Sequence, residues 1–158
     1  MICFKDFTTL SQSELEMVLK WRNDERITPF FTHAAVGIKE HFAFVKSLKN
    51  NTSKKYFLVY DDEKPIGVVN FININKDECE FGLYQNPNLR GFGKVLLKNL
   101  VEYALQNLGI KTLNARAFNH NAKASALYLN FGFALVKQDK TMSYFRLGGG
   151  SLFAKGIK

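Results

Sequence analysis

Apolar residues along the chain fall into seven short β-rich runs and four stretches of helical spacing. Ile2 to Phe7 alternates large apolar residues with smaller or charged ones and predicts a first strand. Ser11 and Ser13 each offer an N-cap, and Glu14 and Glu16 stand in the first turn, where the helix dipole favours acids. Leu15, Val18 and Leu19 carry that helix to Trp21-Arg22-Asn23-Asp24. Ile27 to Val36 has no period. Two adjacent exposed phenylalanines, Phe30 and Phe31, are unusual, so this loop packs on the core or lines a pocket. Ile38 to Leu48 reads as a second helix. Tyr56–Tyr60, Pro65–Ile74 and Cys79–Tyr84 are β-rich runs joined by polar turns, which predicts an antiparallel meander. Gly93 to Leu108 is the clearest helix. Leu97, Leu100, Val101, Ala104, Leu105 and Leu108 share one face, Lys94, Lys98, Glu102 and Gln106 the other, and Gly109 stops it. Thr112–Phe118 returns as a strand, and the strand–helix–strand crossover makes it parallel to 79–84. Asn121–Asn130 is a shorter helix, and 133–137 with 143–147 form a closing hairpin around Asp139-Lys140. Gly148-Gly149-Gly150-Ser151 has linker composition, so one domain over 1–147 is expected, with a tail over 148–158.

A chain of 158 residues is long enough to bury a real core. No apolar run approaches the ~20 residues that span a bilayer. No basic segment followed by an apolar one marks a secretory signal. Cys3 and Cys79 have no metal-ligand spacing and give no disulfide framework, so a cytoplasmic protein without a metal is expected. The net charge of +8 comes from scattered lysines rather than one basic tract. That pattern suits a phosphate-bearing small molecule better than nucleic acid or a membrane surface.

The chemistry gathers in two stretches. In Asn88-Leu89-Arg90-Gly91-Phe92-Gly93-Lys94-Val95 a glycine turn runs into a helix N-terminus. Backbone N–H groups there lack intrahelical partners, and Arg90, Lys94 and Lys98 add charge, which makes an anion site. The third glycine of a dinucleotide fingerprint is missing, as is the Gly-Lys-Ser/Thr ending of a P-loop. In the strand just before it, Glu80, Gly82 and Tyr84 share a face. Gly82 marks a bulge, a close approach to the backbone or a packing concession. Glu80 is either a general base or a solvated charge. The second stretch runs from Asn121, a helix N-cap, through Tyr128 to Gly132-Phe133. Tyr128 is either a half-buried aromatic or a proton donor to a leaving thiolate.

Together the two stretches resemble the GNAT family of N-acetyltransferases. The family's pyrophosphate loop, Gln/Arg-x-x-Gly-x-Gly/Ala, matches at Gly91 and Gly93, with Asn88 departing at its first position. Its second signature, Asn-x-x-Ala-x-x-Leu-Tyr-x-x-x-Gly-Phe, matches Asn121, Ala124, Leu127, Tyr128, Gly132 and Phe133. The resemblance implies an α/β (α+β) fold. Its mixed, mostly antiparallel sheet has about seven strands and about four flanking helices, and it splays between strands 4 and 5. It also implies acetyl-CoA as co-substrate. The pantetheine would pair with Leu83, Tyr84 and Gln85, and the pyrophosphate would rest on Arg90, Gly91, Phe92, Gly93, Lys94 and Val95. Asn121, Lys123 and Tyr128 complete the cofactor set, and Tyr128 is the general acid. An acceptor amine attacks the thioester directly. Several relatives carry a glutamate where this chain has Arg116, which leaves Glu80 as the nearby carboxylate for a base.

The N-terminal third resembles a subgroup that includes ribosomal-protein and nucleotide-sugar acetyltransferases. Leu19–Asn23, Ser53–Val59 and Cys79–Tyr84 followed by Pro87–Leu89 carry the likeness to one branch. That branch acetylates the 4-amino group of UDP-4-amino-4,6-dideoxy-N-acetyl-β-L-altrosamine in pseudaminic acid synthesis, on the route to flagellin glycosylation. Arg22, Phe30 and Phe31 are the candidate acceptor contacts, with core packing or a surface salt bridge as the alternative for each, and a monomer or homodimer is expected. The competing readings are an N-terminal protein acetyltransferase and an acetyl-CoA-binding module without turnover. Retention of Tyr128 argues against the last.

Overall fold

The computed structural model describes residues 1–33 and 35–148. β1 (Ile2–Asp6) leads through a 3-10 turn at Phe7–Thr9 into α1 (Gln12–Arg22). Ser11, rather than Ser13, is its N-cap. The Ser11 hydroxyl accepts from the Glu14 amide at 3.2 Å, and the Glu14 carboxylate accepts from the Ser11 amide at 2.9 Å. This reciprocal pair satisfies two donors that a helix start leaves open. The same carboxylate takes Lys5 Nζ at 2.8 Å and the Tyr60 hydroxyl at 2.7 Å, which ties α1 to two strands. Burial opposes the charge on Glu14, but Lys5, the Ser11 amide and Tyr60 outweigh it and hold the pKa down at about 2.

α2 (Ile38–Ser47) lies beside α1. His41 is buried between them, its Nε2 3.0 Å from the Leu15 carbonyl. Val18, Trp21, Val45 and Leu48 close over Leu58 and Val68 on one face of the sheet. α3 (Gly93–Asn107) and α4 (Ala122–Phe131) cover the other face with the larger core. Leu96, Leu97, Leu100, Val101 and Ala104 of α3 are fully buried. Leu96 thus widens the stripe read from the sequence, while Leu105 and Leu108 lie at its margin.

The strands are β2 (Lys55–Asp61), β3 (Lys64–Ile72), β4 (Glu78–Gln85), β5 (Thr112–Phe118), β6 (Ala134–Gln138) and β7 (Met142–Gly148). With β1 they form one seven-stranded sheet in the order β1-β2-β3-β4-β5-β7-β6. Every neighbouring pair is antiparallel except β4 and β5, as the α3 crossover requires. That parallel pair is the one that fails. Its register runs Glu78↔Thr112, Cys79↔Leu113, Glu80↔Asn114 and stops. β4 continues paired to β3 as far as Gln85, and β5 continues paired to β7 as far as Phe118. The sheet therefore opens into a V between Phe81–Gln85 and Ala115–Phe118. Of the expected tail, Gly148 closes β7, and the rest lies outside the described residues. No helix among the described residues is long and apolar enough to cross a membrane.

Candidate active site

Beyond Glu80 the β5-facing edge of β4 has lost its partner strand. Its peptide groups are free to pair with an extended ligand as a further strand would. Leu83, Tyr84 and Gln85 all lie on this stretch. Gln85 also does something sequence reading missed. Its Nε2 donates to the Leu89 carbonyl at 3.2 Å, and its Oε1 accepts the Phe92 amide at 3.1 Å. The glycine loop is thereby clamped to the end of β4. The Phe92 amide is thereby engaged within the chain.

The loop's remaining geometry fits an anion. Gly91 has φ +81°, a left-handed conformation that favours glycine. Gly93 opens α3, and the first intrahelical bond runs from Leu96 N–H to Phe92 O at 2.9 Å. The amides of Gly93, Lys94 and Val95 precede it and point out of the helix end. A Cβ at Gly93 would meet only Leu127 at 3.5 Å, an ordinary contact, so the fold itself does not demand glycine there. Arg90, Lys94 and Lys98 are exposed around this helix entry, with Lys98 3.9 Å from Glu102.

Tyr128 stands under the V. Its ring is held by Phe81 of β4 at 5.5 Å and 86°, by Phe145 of β7 at 5.4 Å and 64°, and by Phe133 at 5.8 Å. The residue is buried, yet its hydroxyl keeps some accessible surface and donates to no described residue. Burial pushes the phenol up to about 12. Cys79, a thiol buried in the same core, is pushed up to about 12 by burial and by Glu78 and Glu80. The phenol therefore keeps its proton through neutral pH, as a proton donor must. Asn121 caps α4 by accepting the Ala124 amide at 3.2 Å, and Lys123 is exposed in the helix's first turn.

The opposite face of the V carries the polar groups. Glu80 is not a solitary carboxylate, because Arg116 Nε lies 3.1 Å from its Oε2. Gly82 is not a bulge, because its register with β3 is unbroken. The reason for glycine is close approach: a Cβ there would sit 2.7 Å from Asn70 Oδ1. Asn70, opposite Gly82 in register, is half-buried and makes no side-chain hydrogen bond among the described residues. Nothing in the one-dimensional pattern singled it out, since only strand pairing brings it to the V.

The loop after α1 walls this face. Asn23 clasps it shut, with its Nδ2 donating to Val36 O at 2.8 Å and its Oδ1 accepting Val36 N at 2.7 Å. Arg22 donates to Thr28 Oγ1 at 3.0 Å and to His33 O at 3.2 Å, and its guanidinium lies 3.9 Å over the Phe31 ring. Phe31 meets Tyr84 edge-on at 5.6 Å. Phe30, exposed, lies tilted against His120 at 5.7 Å, and Arg26 reaches Asn88 at 3.2 Å. The loop so touches both arms of the V. Arg22, Phe31 and Tyr84 come together, Phe30 sits on the far arm, and Arg22 spends much of its fork on holding the loop.

A seven-stranded sheet that parts after its single parallel pair, beside a glycine turn at a helix N-terminus, defines an acetyltransferase fold. The Acetyltransferase (GNAT) domain family matches residues 7–146, and the chain belongs to that family. Among curated proteins it is 44% identical over 140 residues to "Acetyltransferase PseH" of Campylobacter jejuni serotype O:23/36, covering 89% of each chain. A second C. jejuni protein of that name, from serotype O:2, is 40% identical over 144 residues, covering 91% of this chain and 92% of the relative. The crystal structure of C. jejuni N-acetyltransferase PseH in complex with acetyl coenzyme A superposes with a TM-score of 0.82 at 40% identity, covering 94% of this chain and 99% of that one. Spermidine N-acetyltransferase of Vibrio cholerae, at 18% identity and a TM-score of 0.85 over 96% and 98% of the chains, shares the fold.

Proposed function

We propose that this acetyltransferase transfers the acetyl group of acetyl-CoA to the 4-amino group of a UDP-linked amino-dideoxy sugar. The acceptor chemistry is that of UDP-4-amino-4,6-dideoxy-N-acetyl-altrosamine in pseudaminic acid synthesis, in the cytoplasm. The observation that carries the reading is the loss of β4–β5 pairing after Glu80, with the glycine loop at one end of the gap and Tyr128 beneath it. The likeness to PseH supports the donor and the acceptor class. The pantetheine pairs with β4 over Leu83 to Gln85, and the pyrophosphate takes the amides of Gly93, Lys94 and Val95 with Arg90 nearby. Gly93 is glycine because the phosphates come close, a demand the fold alone does not make.

The neutral amine attacks the thioester carbonyl. The C–N bond forms, the carbonyl electrons move to oxygen, and collapse of the tetrahedral species breaks the C–S bond. Tyr128 gives its phenolic proton to the departing sulfur and is reprotonated from solvent. The nitrogen proton leaves to Glu80 directly or through water, and Arg116, 3.1 Å away, holds that carboxylate in place. Binding both reactants in one gap converts a bimolecular encounter into an oriented one.

The test is release of free thiol from acetyl-CoA with three acceptors: the UDP-4-amino sugar, N-terminal peptides of ribosomal-protein type, and spermidine. Fast release with the nucleotide sugar alone is expected. Release with peptides alone would move the chain to the protein-acetylating branch and refute the acceptor reading.

A further inference from the structure

On the face of the sheet away from α3 and α4, the N-terminal helices cover only β1 to β4. Among the described residues no helix packs in front of β5, β7 and β6, and a cavity of about 420 Å³ lies there. Glu80, Asn114, Arg116, Lys137, Tyr144 and Arg146 line it. It begins at the V and runs away from it across the sheet. Three of these side chains are cations, and Glu80 is the single carboxylate among the lining residues.

The cations are set in place by the fold. Glu78 Oε2 accepts Asn114 Nδ2 at 2.9 Å, and Asn114 Oδ1 accepts Arg146 Nε at 3.0 Å. This relay orients the Arg146 guanidinium while leaving the fork's outer edge to a ligand. Among the described residues no carboxylate lies within 4.0 Å of Arg146 or Lys137, whereas Arg116 is paired with Glu80. Lys137 reaches this face through an irregularity. β6 pairs Leu135 with Phe145 and then Lys137 with Tyr144, so Val136 is an extra residue. Strict alternation would place Lys137 opposite Ser143, on the buried face. The bulge re-aims it over the Tyr144 ring, with Nζ 5.3 Å from the centroid. The bulge thus brings a lysine to the face that already holds the oriented arginine.

We propose that this groove is the diphosphate subsite of the acceptor: Arg146 and Lys137 hold the nucleoside diphosphate while the sugar amine reaches the V beside Glu80. The proposal rests on the nucleotide-sugar reading given above. Its geometry follows from the register. Glu80, Asn114 and Arg146 stand in one row across β4, β5 and β7. Two strand spacings separate the ends of that row, roughly 10 Å. One pyranose ring with its glycosidic phosphate bridges that span. Arg116, held by Glu80, sits between amine and diphosphate. The loop wall at Arg22 and Phe31 then bounds the sugar rather than the phosphates.

The experiment uses Arg146→Gln and Lys137→Gln, both exposed and outside the reacting centre, with melting curves to confirm folding. The KM for the UDP-amino sugar and the inhibition constant of free UDP are measured against the KM for acetyl-CoA. Each variant is expected to raise the first two together, on the order of ten- to a hundredfold, and to leave the third unchanged. With the free 4-amino sugar lacking UDP as acceptor, wild type and variants are expected to react alike. If wild type turns over the nucleotide sugar and binds UDP but neither variant weakens them, the subsite is refuted and the acceptor reading stands. If wild type neither binds UDP nor acetylates the nucleotide sugar, both fall together.

Discussion

Replacing Tyr128 with phenylalanine separates chemistry from packing. The ring is held by Phe81, Phe133 and Phe145, and all three contacts survive in Tyr128→Phe. The hydroxyl donates to no described residue, so its removal strands no buried partner. Stability is therefore expected to change by less than ~0.5 kcal/mol. Tyr128→Ala instead empties a site in the larger core and is expected to cost about 3–5 kcal/mol. The catalytic effect runs the other way. A positioned acid contributes about a hundred- to ten-thousandfold, so kcat in Tyr128→Phe is expected to fall by that factor while acetyl-CoA binding persists. Thiol release at saturating substrates gives kcat, and calorimetry gives acetyl-CoA affinity and the melting temperature. Because the phenol is pushed up to about 12, it stays protonated through neutral pH, and no basic limb below about pH 10 belongs to it. Wild-type kcat in a well-folded Tyr128→Phe would refute the acid role. A melting temperature as low as that of Tyr128→Ala would show that the hydroxyl serves the core.

Four further outcomes follow from particular contacts. Gln85→Ala removes both bonds that clamp the glycine loop, and the KM for acetyl-CoA is expected to rise about fivefold or more by steady-state kinetics, with a stability loss of about 1–2 kcal/mol. Gly93→Ala is expected to melt like wild type yet bind acetyl-CoA weakly, whereas Gly91→Ala, at φ +81°, is expected to lose about 1–2 kcal/mol in denaturant titration. Glu80→Gln is expected to lower kcat and alter the pH–rate profile; an unchanged profile would end its role as base. Glu14 has its pKa depressed from 4.5 to about 2, so its stabilising contribution is present above about pH 4.5 and is lost as pH falls toward 2. Acid titration by circular dichroism is expected to show that slope weakened in Glu14→Gln.

The sequence disclosed the elements and left their lateral neighbours dark. Period-two and helical spacings placed all seven strands and four helices, and the crossover over α3 implied the one parallel pair. Gly91-x-Gly93 and Asn121…Tyr128 were legible because helix entries and caps are local. Glu80 looked unpaired because its partner Arg116 is distant in the chain and adjacent only through β4 and β5. Gly82 stayed open between a bulge and a close approach because Asn70, which fills the space above it, belongs to another strand. The Gln85 clamp was hidden for a different reason: a glutamine at a strand end has no characteristic pattern. The cationic groove needed the β5–β7 pairing and the β6 bulge, and neither has a sequence signature.

The central claim is acetyl transfer to the amine of a nucleotide-linked sugar, and product identity tests it most directly. Enzyme, acetyl-CoA and UDP-4-amino-4,6-dideoxy-N-acetyl-altrosamine are incubated together, and the nucleotide sugar is analysed by mass spectrometry and NMR. The account predicts a gain of one acetyl group on the 4-nitrogen, matched mole for mole by free coenzyme A. A nucleotide sugar recovered unchanged, while the enzyme binds acetyl-CoA and acetylates a different amine, would contradict it.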